Sequence, residues 1–326
     1  MIRDASILVV RLGALGDILH ALPAVASLKQ SFPDRKLIWI IRPKWMPLLE
    51  GNPFIDELVP FGKRGVGAPI GSWRRIRTIK PGLAIDFQGL IQSALIGRLA
   101  RPRVFWGFDK SVARESLACP FYTYTEAAKG PHRIERNLQL VQAVGATELA
   151  HETWLPPGSA EGALPSAPFV LSSPFAGWAG KQWPLKNYEQ LAKLLSKQGI
   201  VLVANVAREH ASQLLGLENV HPHESSIPGL IDASRRAAAV VGVDSGPLHI
   251  AAALRKPGVA VFGPTDPAAT GPYGGSITVL RAQNVKTTYD RHSTIHPSMR
   301  AITPDHVFES LMRSIDRHHA PLVRPL

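Results

Sequence analysis

Short apolar runs alternate with longer amphipathic segments along most of this 326-residue chain. Each run is rich in Val, Ile and Leu and is bounded by turn residues, so it predicts a β-strand that is buried on both faces. Alternating strands and helices predict mostly parallel sheets covered by helices, the α/β class. The strands predicted in this way are residues 7–10, 37–41, 83–85, 104–106, 169–171, 200–204, 240–243 and 259–262.

A segment rich in Pro, Gly, Ala and Ser interrupts the alternation at residues 156–168. This composition is typical of an interdomain linker, and the chain is long enough for two domains. We therefore expect Rossmann-like domains over residues 1–155 and 169–326, with a last helix that can pack back on the first domain. Because ligands of open α/β sheets bind at the carboxyl ends of strands, we also expect a cleft between the domains where two substrates meet.

Composition limits the classes of partner and compartment. The formal net charge of +12 favours anionic partners, namely nucleic acid, an anionic membrane or phosphorylated small molecules. The single cysteine, Cys119, excludes an internal disulfide and a cysteine-cluster zinc site. No apolar stretch reaches the roughly 20 residues of a spanning helix, and the first residues lack the pattern of a signal peptide. We expect a cytoplasmic protein.

The first chemically informative stretch is residues 10–23, VRLGALGDILHALP, where a strand leads through a turn into a helix. Its only glycines are Gly13 and Gly16, so the dinucleotide fingerprint, which needs three, is absent. The glycines allow a substrate to approach the backbone, and Gly16 is a candidate contact for the donor substrate. Asp17 follows in the first helical turn, where it is a candidate functional carboxylate or simply a helix cap.

The second stretch is residues 241–249, VGVDSGPLH, where Asp244 ends a very apolar strand. Ser245 is a suitable N-cap for the next helix, and the free backbone N–H groups there predict an anion site suited to a diphosphate. His249 lies one turn further, where it can donate to the same anion or serve as a structural histidine. The candidate donor-binding residues here are Asp244, Ser245, Gly246, Pro247, Leu248 and His249.

Cationic residues form two further candidate groups. Lys181 lies in the glycine-bearing loop GWAGKQWP (residues 177–184), where it predicts a phosphate contact, the alternative being a solvated lysine. No acidic residue occurs between Glu57 and Asp86, whereas six cationic residues do. This basic patch fits anionic lipid headgroups, a phosphorylated acceptor or merely a solvated positive face. It consists of Lys63, Arg64, Arg74, Arg75, Arg77 and Lys80.

Taken in order, these motifs resemble the ADP-heptose:lipopolysaccharide heptosyltransferases, which are inverting glycosyltransferases of the GT-B fold. The resemblance covers nearly the whole chain. It depends on GDILHALP (residues 16–23), DFQGL (86–90), RESLA (114–118), KQWP (181–184), VDSGPLH (243–249) and GPTDP (263–267).

The resemblance implies a role for each matching position. Asp17 is the general base that takes a proton from the acceptor hydroxyl, and Lys181 neutralises the departing diphosphate. Asp244 and the backbone of residues 245–249 hold the donor, while Glu209 contacts its ribose. Arg114 and the basic patch face an anionic, lipid-linked saccharide acceptor.

Together the residues and the resemblance predict a heptosyltransferase that uses ADP-heptose as donor, without a metal or bound cofactor. It is expected to add heptose to the inner core of lipopolysaccharide as a monomer at the inner face of the cytoplasmic membrane. The alternatives are another nucleotide-sugar donor, a nucleotide-sugar epimerase or oxidoreductase, and a non-catalytic basic protein that binds membrane or nucleic acid. An epimerase or oxidoreductase would require the three-glycine dinucleotide fingerprint and a Tyr-x-x-x-Lys pair, and the sequence has neither pattern. The third leaves Asp17 and Asp244 unexplained.

Overall fold

The computed structural model describes residues 6–62, 69–291 and 293–319, without the side chains of Pro69, Ile70, Glu209 and His319. The chain divides into two compact units, Met1–Pro156 and Pro157–Leu326. Within the described residues, no helix is both long and apolar enough to cross a membrane.

The first unit is an α/β domain built on a parallel sheet in the order β3-β2-β1-β4-β5-β6. Its strands pair in register, for example Val10 with Asp86 of the neighbouring strand β4. Its elements are β1 (Ile7–Val10), α1 (Leu15–Ser31), β2 (Leu37–Ile41), β3 (Glu57–Pro60), α2 (Pro69–Ile79), β4 (Leu83–Asp86), α3 (Ile91–Leu99), β5 (Val104–Phe108), β6 (Tyr124–Glu126) and α4 (Arg133–Val144).

The second unit has a parallel sheet in the order β12-β11-β10-β7-β8-β9. Its elements are β7 (Phe169–Ser173), α5 (Leu185–Ser196), β8 (Val201–Val206), β9 (Val220–Glu224), α6 (Ile227–Arg236), β10 (Ala239–Val243), α7 (Gly246–Ala253), β11 (Gly258–Phe262), α8 (Pro267–Thr270), β12 (Ile277–Arg281), α9 (Pro297–Arg300) and α10 (Pro304–His319). Counted from the start of each unit, both sheets have the Rossmann order 3-2-1-4-5-6.

The core of each unit lies where its central strands are covered by helices. In the first unit α1 packs against α4, and α2 lies beside α3. With right-handed crossovers, a helix lies on one face of a parallel sheet when the chain moves toward one edge and on the other face when it moves toward the other edge. This rule explains why the helices form these two pairs. In the second unit α10 packs on α5 and on strands β10 to β12.

Two further segments, the last helix and the chain before β7, have contacts within the second unit. The last helix belongs to the second unit, because Val307 and Leu311 are buried in its core and the Ser314 hydroxyl accepts a hydrogen bond from the Gly258 amide. The segment predicted as the interdomain linker is held on the second unit by hydrogen bonds. The Glu161 carboxylate accepts hydrogen bonds from the amide and hydroxyl of Ser226, which precedes α6.

Histidines hold the same segment on the outer strand β9. His223 is buried and contacts the Glu161 carbonyl at 2.7 Å, while its other ring nitrogen contacts Asn205 at 2.8 Å. His221 contacts the Ala163 carbonyl at 2.9 Å. Polar contacts of this kind, rather than a hydrophobic core, order a segment that its composition makes similar to a flexible linker.

Candidate active site

The strand order of the first unit places its switch point between β1 and β4, where ligands of such sheets bind. The turn after β1 contains Gly13, whose φ of +152° lies outside the range that L-residues commonly adopt. A Cβ at Gly13 would lie 2.6 Å from Nε1 of Trp45, so only glycine fits this turn. The turn leads into α1, where Asp17 is the third helical residue.

Three arginines surround the Asp17 carboxylate. Nη2 of Arg11, which directly follows β1, lies 2.6 Å from Asp17 Oδ2. Nη2 of Arg114 donates to both carboxylate oxygens at 2.9 Å, and Arg133, the first residue of α4, donates to Oδ1. The Asp17 and Arg11 side chains are 10% and 5% exposed, whereas Arg114 and Arg133 are 41% and 35% exposed.

These contacts fix the ionisation of the cluster. Burial alone would raise the pKa of Asp17, but Arg11, Arg133 and Arg114, together with His20, hold that pKa well below its usual range. Burial lowers the pKa of Arg11 to about 10, against the opposing charge of Asp17. The cluster therefore contains an ionised carboxylate and charged guanidinium groups at neutral pH.

A second carboxylate, Asp86, fixes the turn after β4. It is fully buried and accepts hydrogen bonds from the Ser93 and Tyr122 hydroxyls, both at 2.7 Å, and from the Gln88 amide at 2.7 Å. Burial nevertheless raises its pKa above the usual value. Asp86 therefore fixes the shape of this turn through its hydrogen bonds.

The turn that Asp86 shapes is joined to the segment before Asp17. Oε1 of Gln88 accepts a hydrogen bond from the Leu12 amide at 2.9 Å, and the Phe87 carbonyl accepts one from Arg11. The arginine next to Asp17 is therefore held by both turns of the switch point. A polar pocket opens here; its lining includes Asp17, His20, Gln88, Arg114, Arg133, Arg136 and Asn137.

In the second unit the equivalent switch point lies between β7 and β10. Lys181, at the end of a short 3-10 turn after β7, donates from Nζ to Oδ2 of Asp244 at 3.0 Å. The two side chains are 16% and 10% exposed, so the pair is largely shielded from water. Nζ also lies 5.6 Å from the ring centre of Trp178, within cation–π range.

Helix α7 begins two residues after Asp244 and presents its amino end at the same switch point. Ser245 occupies the N-cap position, but its hydroxyl makes no capping hydrogen bond, contrary to expectation, and is buried without a partner among the described residues. Pro247 has no N–H group, so the free donors of this turn come from its neighbours. A negatively charged ligand is stabilised at such a helix end.

The other residues predicted to bind the donor lie in different surroundings. His249 is buried within α7, and the Leu248 side chain packs in the core against Gly242 instead of facing a ligand, leaving only its backbone available. Gly16 lies in the first turn of α1, in the first unit. The Glu209 side chain lies outside the described residues.

The residues predicted to bind the acceptor also lie in different places. Arg114 lies on Asp17, as described above. On α2, Arg74 and Arg77 are exposed, and Arg75 pairs with Glu57. Lys63 and Arg64 lie outside the described residues.

Two residues of the Asp17 cluster are missing from the sequence-based prediction. Arg133 lies 116 positions from Asp17 in the chain, and no local spacing links them. Arg11 lies only six positions earlier, but a cation after a strand is too common to single out. Across the described ranges, no cluster of three or more His, Cys, Asp or Glu side chains is arranged to hold a metal ion.

Comparisons with known proteins identify the family of the chain. The family model of glycosyltransferase family 9 (heptosyltransferase) matches residues 72–297. Lipopolysaccharide heptosyltransferase 1 of Pseudomonas aeruginosa is 32% identical over 291 residues, which are 83% of this chain and 82% of that protein. The Escherichia coli K12 protein of the same name is 31% identical over 306 residues, 85% of this chain and 93% of its own length.

Solved structures show the same fold. E. coli heptosyltransferase WaaC with ADP superposes with a TM-score of 0.76 at 24% identity, over 95% of this chain and 99% of that one. E. coli ADP-heptose lipopolysaccharide heptosyltransferase II gives 0.79 at 22% identity, over 97% and 100%. These matches confirm the prediction of a GT-B fold with two Rossmann-like units.

Proposed function

Because the chain belongs to glycosyltransferase family 9, we propose that it transfers heptose from ADP-heptose to the inner core of lipopolysaccharide, with inversion. The acceptor is Kdo-lipid A or an already heptosylated core. One observation carries the assignment: the two switch points hold different sets of charged groups, each suited to one of the two substrates. One unit holds a carboxylate among arginines, and the other holds a Lys–Asp pair beside a free helix amino end.

The second unit suits the donor. Breaking the bond between the anomeric carbon and the diphosphate develops negative charge on the leaving group. The Lys181 ammonium and the first N–H groups of α7 are positioned to stabilise that charge. The unpartnered Ser245 hydroxyl supplies a further donor. Asp244 holds Lys181 in place before the donor binds.

The first unit suits the acceptor. Its hydroxyl oxygen forms the new bond to the anomeric carbon, and its proton passes to Asp17 as general base. The arginines of the same pocket attract an anionic acceptor. We assign the acceptor to residues 1–155 and the donor to residues 169–326. Transfer then requires the two bound substrates to come together, and the exclusion of water protects the donor from hydrolysis.

We further propose that the reaction needs no metal ion. The leaving diphosphate is neutralised by Lys181 and α7, which makes a bound divalent cation unnecessary for that step. Transfer measured with and without EDTA tests this point. Equal rates support the proposal, and loss of activity that Mg²⁺ restores contradicts it.

One surface of the first unit fits an anionic membrane. Helices α2 and α3 are neighbours, and α3 packs against the 3-10 turn Ser116–Phe121. Trp73, Leu95 and Leu117 on these elements are 52%, 50% and 69% exposed. The chain has no acidic residue between Asp86 and Asp109, as between Glu57 and Asp86. Exposed apolar side chains among arginines are typical of surfaces that bind anionic lipid.

We therefore propose that the protein acts as a monomer at the cytoplasmic face of the inner membrane, with α2 and α3 against the lipid. Flotation with phosphatidylcholine vesicles, with and without phosphatidylglycerol, tests this surface. Leu117→Ser should weaken binding to the anionic vesicles. Leu215→Ser, which removes a 79% exposed leucine from the second unit, is the matched control and should not. Equal binding of both variants to the anionic vesicles would refute the assignment of this surface. Light scattering measures the molar mass in solution and so tests whether the protein is a monomer.

The decisive experiment for the function is a donor and acceptor matrix. ADP-heptose, UDP-sugars and GDP-sugars are tested for binding by calorimetry and for transfer to Kdo-lipid A and to heptosylated Kdo-lipid A by mass spectrometry. We expect ADP-heptose alone to bind tightly and to be transferred. Tight binding of a UDP- or GDP-sugar would assign another donor. Salt-sensitive DNA binding without sugar-nucleotide binding would contradict the enzyme assignment.

A further inference from the structure

The Asp17 carboxylate is fully engaged before any acceptor arrives. Its oxygens contact three guanidinium groups, and Oδ2 also accepts a hydrogen bond from the Ala14 amide at 3.4 Å. A carboxylate so surrounded has little affinity for a proton, since every neighbouring cation stabilises the ionised form. For Asp17 to accept a proton from a hydroxyl, at least one cation has to leave it.

The three arginines differ in how freely they can leave. Arg11 is 5% exposed and is also bonded to the Phe87 carbonyl, so it is held in place. Arg133 begins α4 and contacts one carboxylate oxygen. Arg114 belongs to an irregular segment, is 41% exposed and uses one nitrogen for both oxygens. Arg114 is thus the most exposed of the three partners of Asp17 and the one that lies outside regular secondary structure alongside the pocket.

The pocket also has more positive charge than Asp17 can balance. Among the described residues that line it, Arg11, Arg114, Arg133 and Arg136 face a single acid, Asp17. His20 lies in the same lining, and the ring of His132, next to Arg133, contacts the ring of His20 at 5.1 Å. An anion that enters this pocket therefore meets uncompensated cations.

We propose that Arg114 exchanges partners during the reaction: a carboxylate or phosphate of the acceptor takes Arg114 from Asp17 and so releases the base. This proposal rests on the proposed function and adds to it a coupling between acceptor binding and the release of Asp17. While the acceptor is absent, Asp17 is a poor base and does not activate water against the donor. When the anionic acceptor binds, the freed carboxylate takes the proton of its hydroxyl.

The kinetic test compares Arg114→Gln with Arg136→Gln. Arg136 lines the same pocket but is bonded to the Gly130 carbonyl instead of to Asp17. Both variants should raise the KM for Kdo-lipid A. Only Arg114→Gln should also speed acceptor-independent ADP release from ADP-heptose, by up to about tenfold for each unit by which the pKa of Asp17 rises, the limit for complete proton transfer. It should shift the acidic limb of kcat/KM to higher pH as well.

Arg114→Lys serves as the conservative variant, because it keeps a charge on Asp17 and should restore slow ADP release. The exchange is refuted if Arg114→Gln raises only KM, as a residue that merely binds the acceptor would. It is also refuted if Arg136→Gln speeds ADP release equally.

A binding experiment separates this proposal from the heptosyltransferase assignment. Protein with 13C-labelled aspartate carboxyls is titrated with acid by NMR, and the Asp17→Asn variant identifies the Asp17 signal. Kdo, a sugar carboxylic acid, and inorganic phosphate are added separately to distinguish the two kinds of anion. Either one should move the Asp17 titration to higher pH in the wild type but not in Arg114→Gln. If neither anion moves the Asp17 titration, the proposed exchange of Arg114 is refuted, whatever sugar the protein transfers. If the titration moves but no heptose is transferred, only the proposed function is refuted.

Discussion

Replacing Asp17 with asparagine removes one negative charge shared by three guanidinium groups, with almost no change in side-chain volume. Arg11, 5% exposed, then loses its counter-ion in a site that water barely reaches, and such a loss costs about 3–5 kcal/mol. Arg114 and Arg133 are 41% and 35% exposed, so each contributes at most about 1 kcal/mol. Because Arg11 keeps the Phe87 carbonyl, we expect the first unit to lose about 3 kcal/mol.

The pH dependence of this loss follows from the sign of the shift. The native pKa of Asp17 lies below its unfolded value, so its stabilising effect is complete above the unfolded pKa of about 4. The effect declines as the pH falls further toward the native value. The stability gap between wild type and Asp17→Asn should therefore be constant between about pH 5 and 8 and narrow below about pH 4.

Urea unfolding followed by tryptophan fluorescence measures this gap, with Trp39 as a nearby reporter since its Nε1 donates to the Arg11 carbonyl. In the same variant, transfer should fall by about 10²–10⁴-fold, the usual contribution of a general base, while ADP binding by calorimetry is unchanged. Wild-type stability at pH 7, a gap that widens on acidification, or transfer within tenfold of wild type would each refute the reasoning.

Three further substitutions test other parts of the two units. Lys181→Ala should weaken ADP binding and slow transfer together, because it removes the cation that we propose neutralises the diphosphate; unchanged calorimetry and kinetics would exclude Lys181 from the donor site. Tyr122→Phe removes one hydrogen bond from the buried Asp86 carboxylate and should cost about 1.5–3 kcal/mol by urea unfolding, without affecting ADP binding. Gly13→Ala places a Cβ 2.6 Å from Trp45 and should lower kcat for acceptor turnover, whereas a kinetically normal variant would show that this turn tolerates the strain.

The strands that sequence patterns predicted are the inner strands of the two sheets, and those they missed are the outer ones. Inner strands such as β1 and β10 are buried along their whole length, so they appear as continuous apolar runs. The missed strands β3, β6, β9 and β12 have exposed or half-exposed residues and polar side chains. An edge strand has one neighbour and less burial, so its sequence resembles that of a loop.

The candidate site was predictable to the same partial extent. Asp17 and Asp244 follow inner strands, and glycine- or proline-bearing turns beside them are visible in the sequence. Their partners are visible only when they share a recognisable motif, as Lys181 does. Arg133 meets Asp17 because α4 packs on α1, a tertiary contact that no local pattern encodes. The segment Arg208–Leu214 is a 3-10 helix, which apolar spacing alone does not distinguish from an α-helix.

The repeated strand order has a practical consequence for engineering. Both halves have the same strand order, and the residues proposed for the chemistry of each half lie in or next to the few loops at its switch point. Loops after β7 and β10 can therefore be grafted from an enzyme with another sugar nucleotide without disturbing the scaffold that carries Asp17. Chimeras made in this way would change which sugar is delivered while keeping the recipient the same.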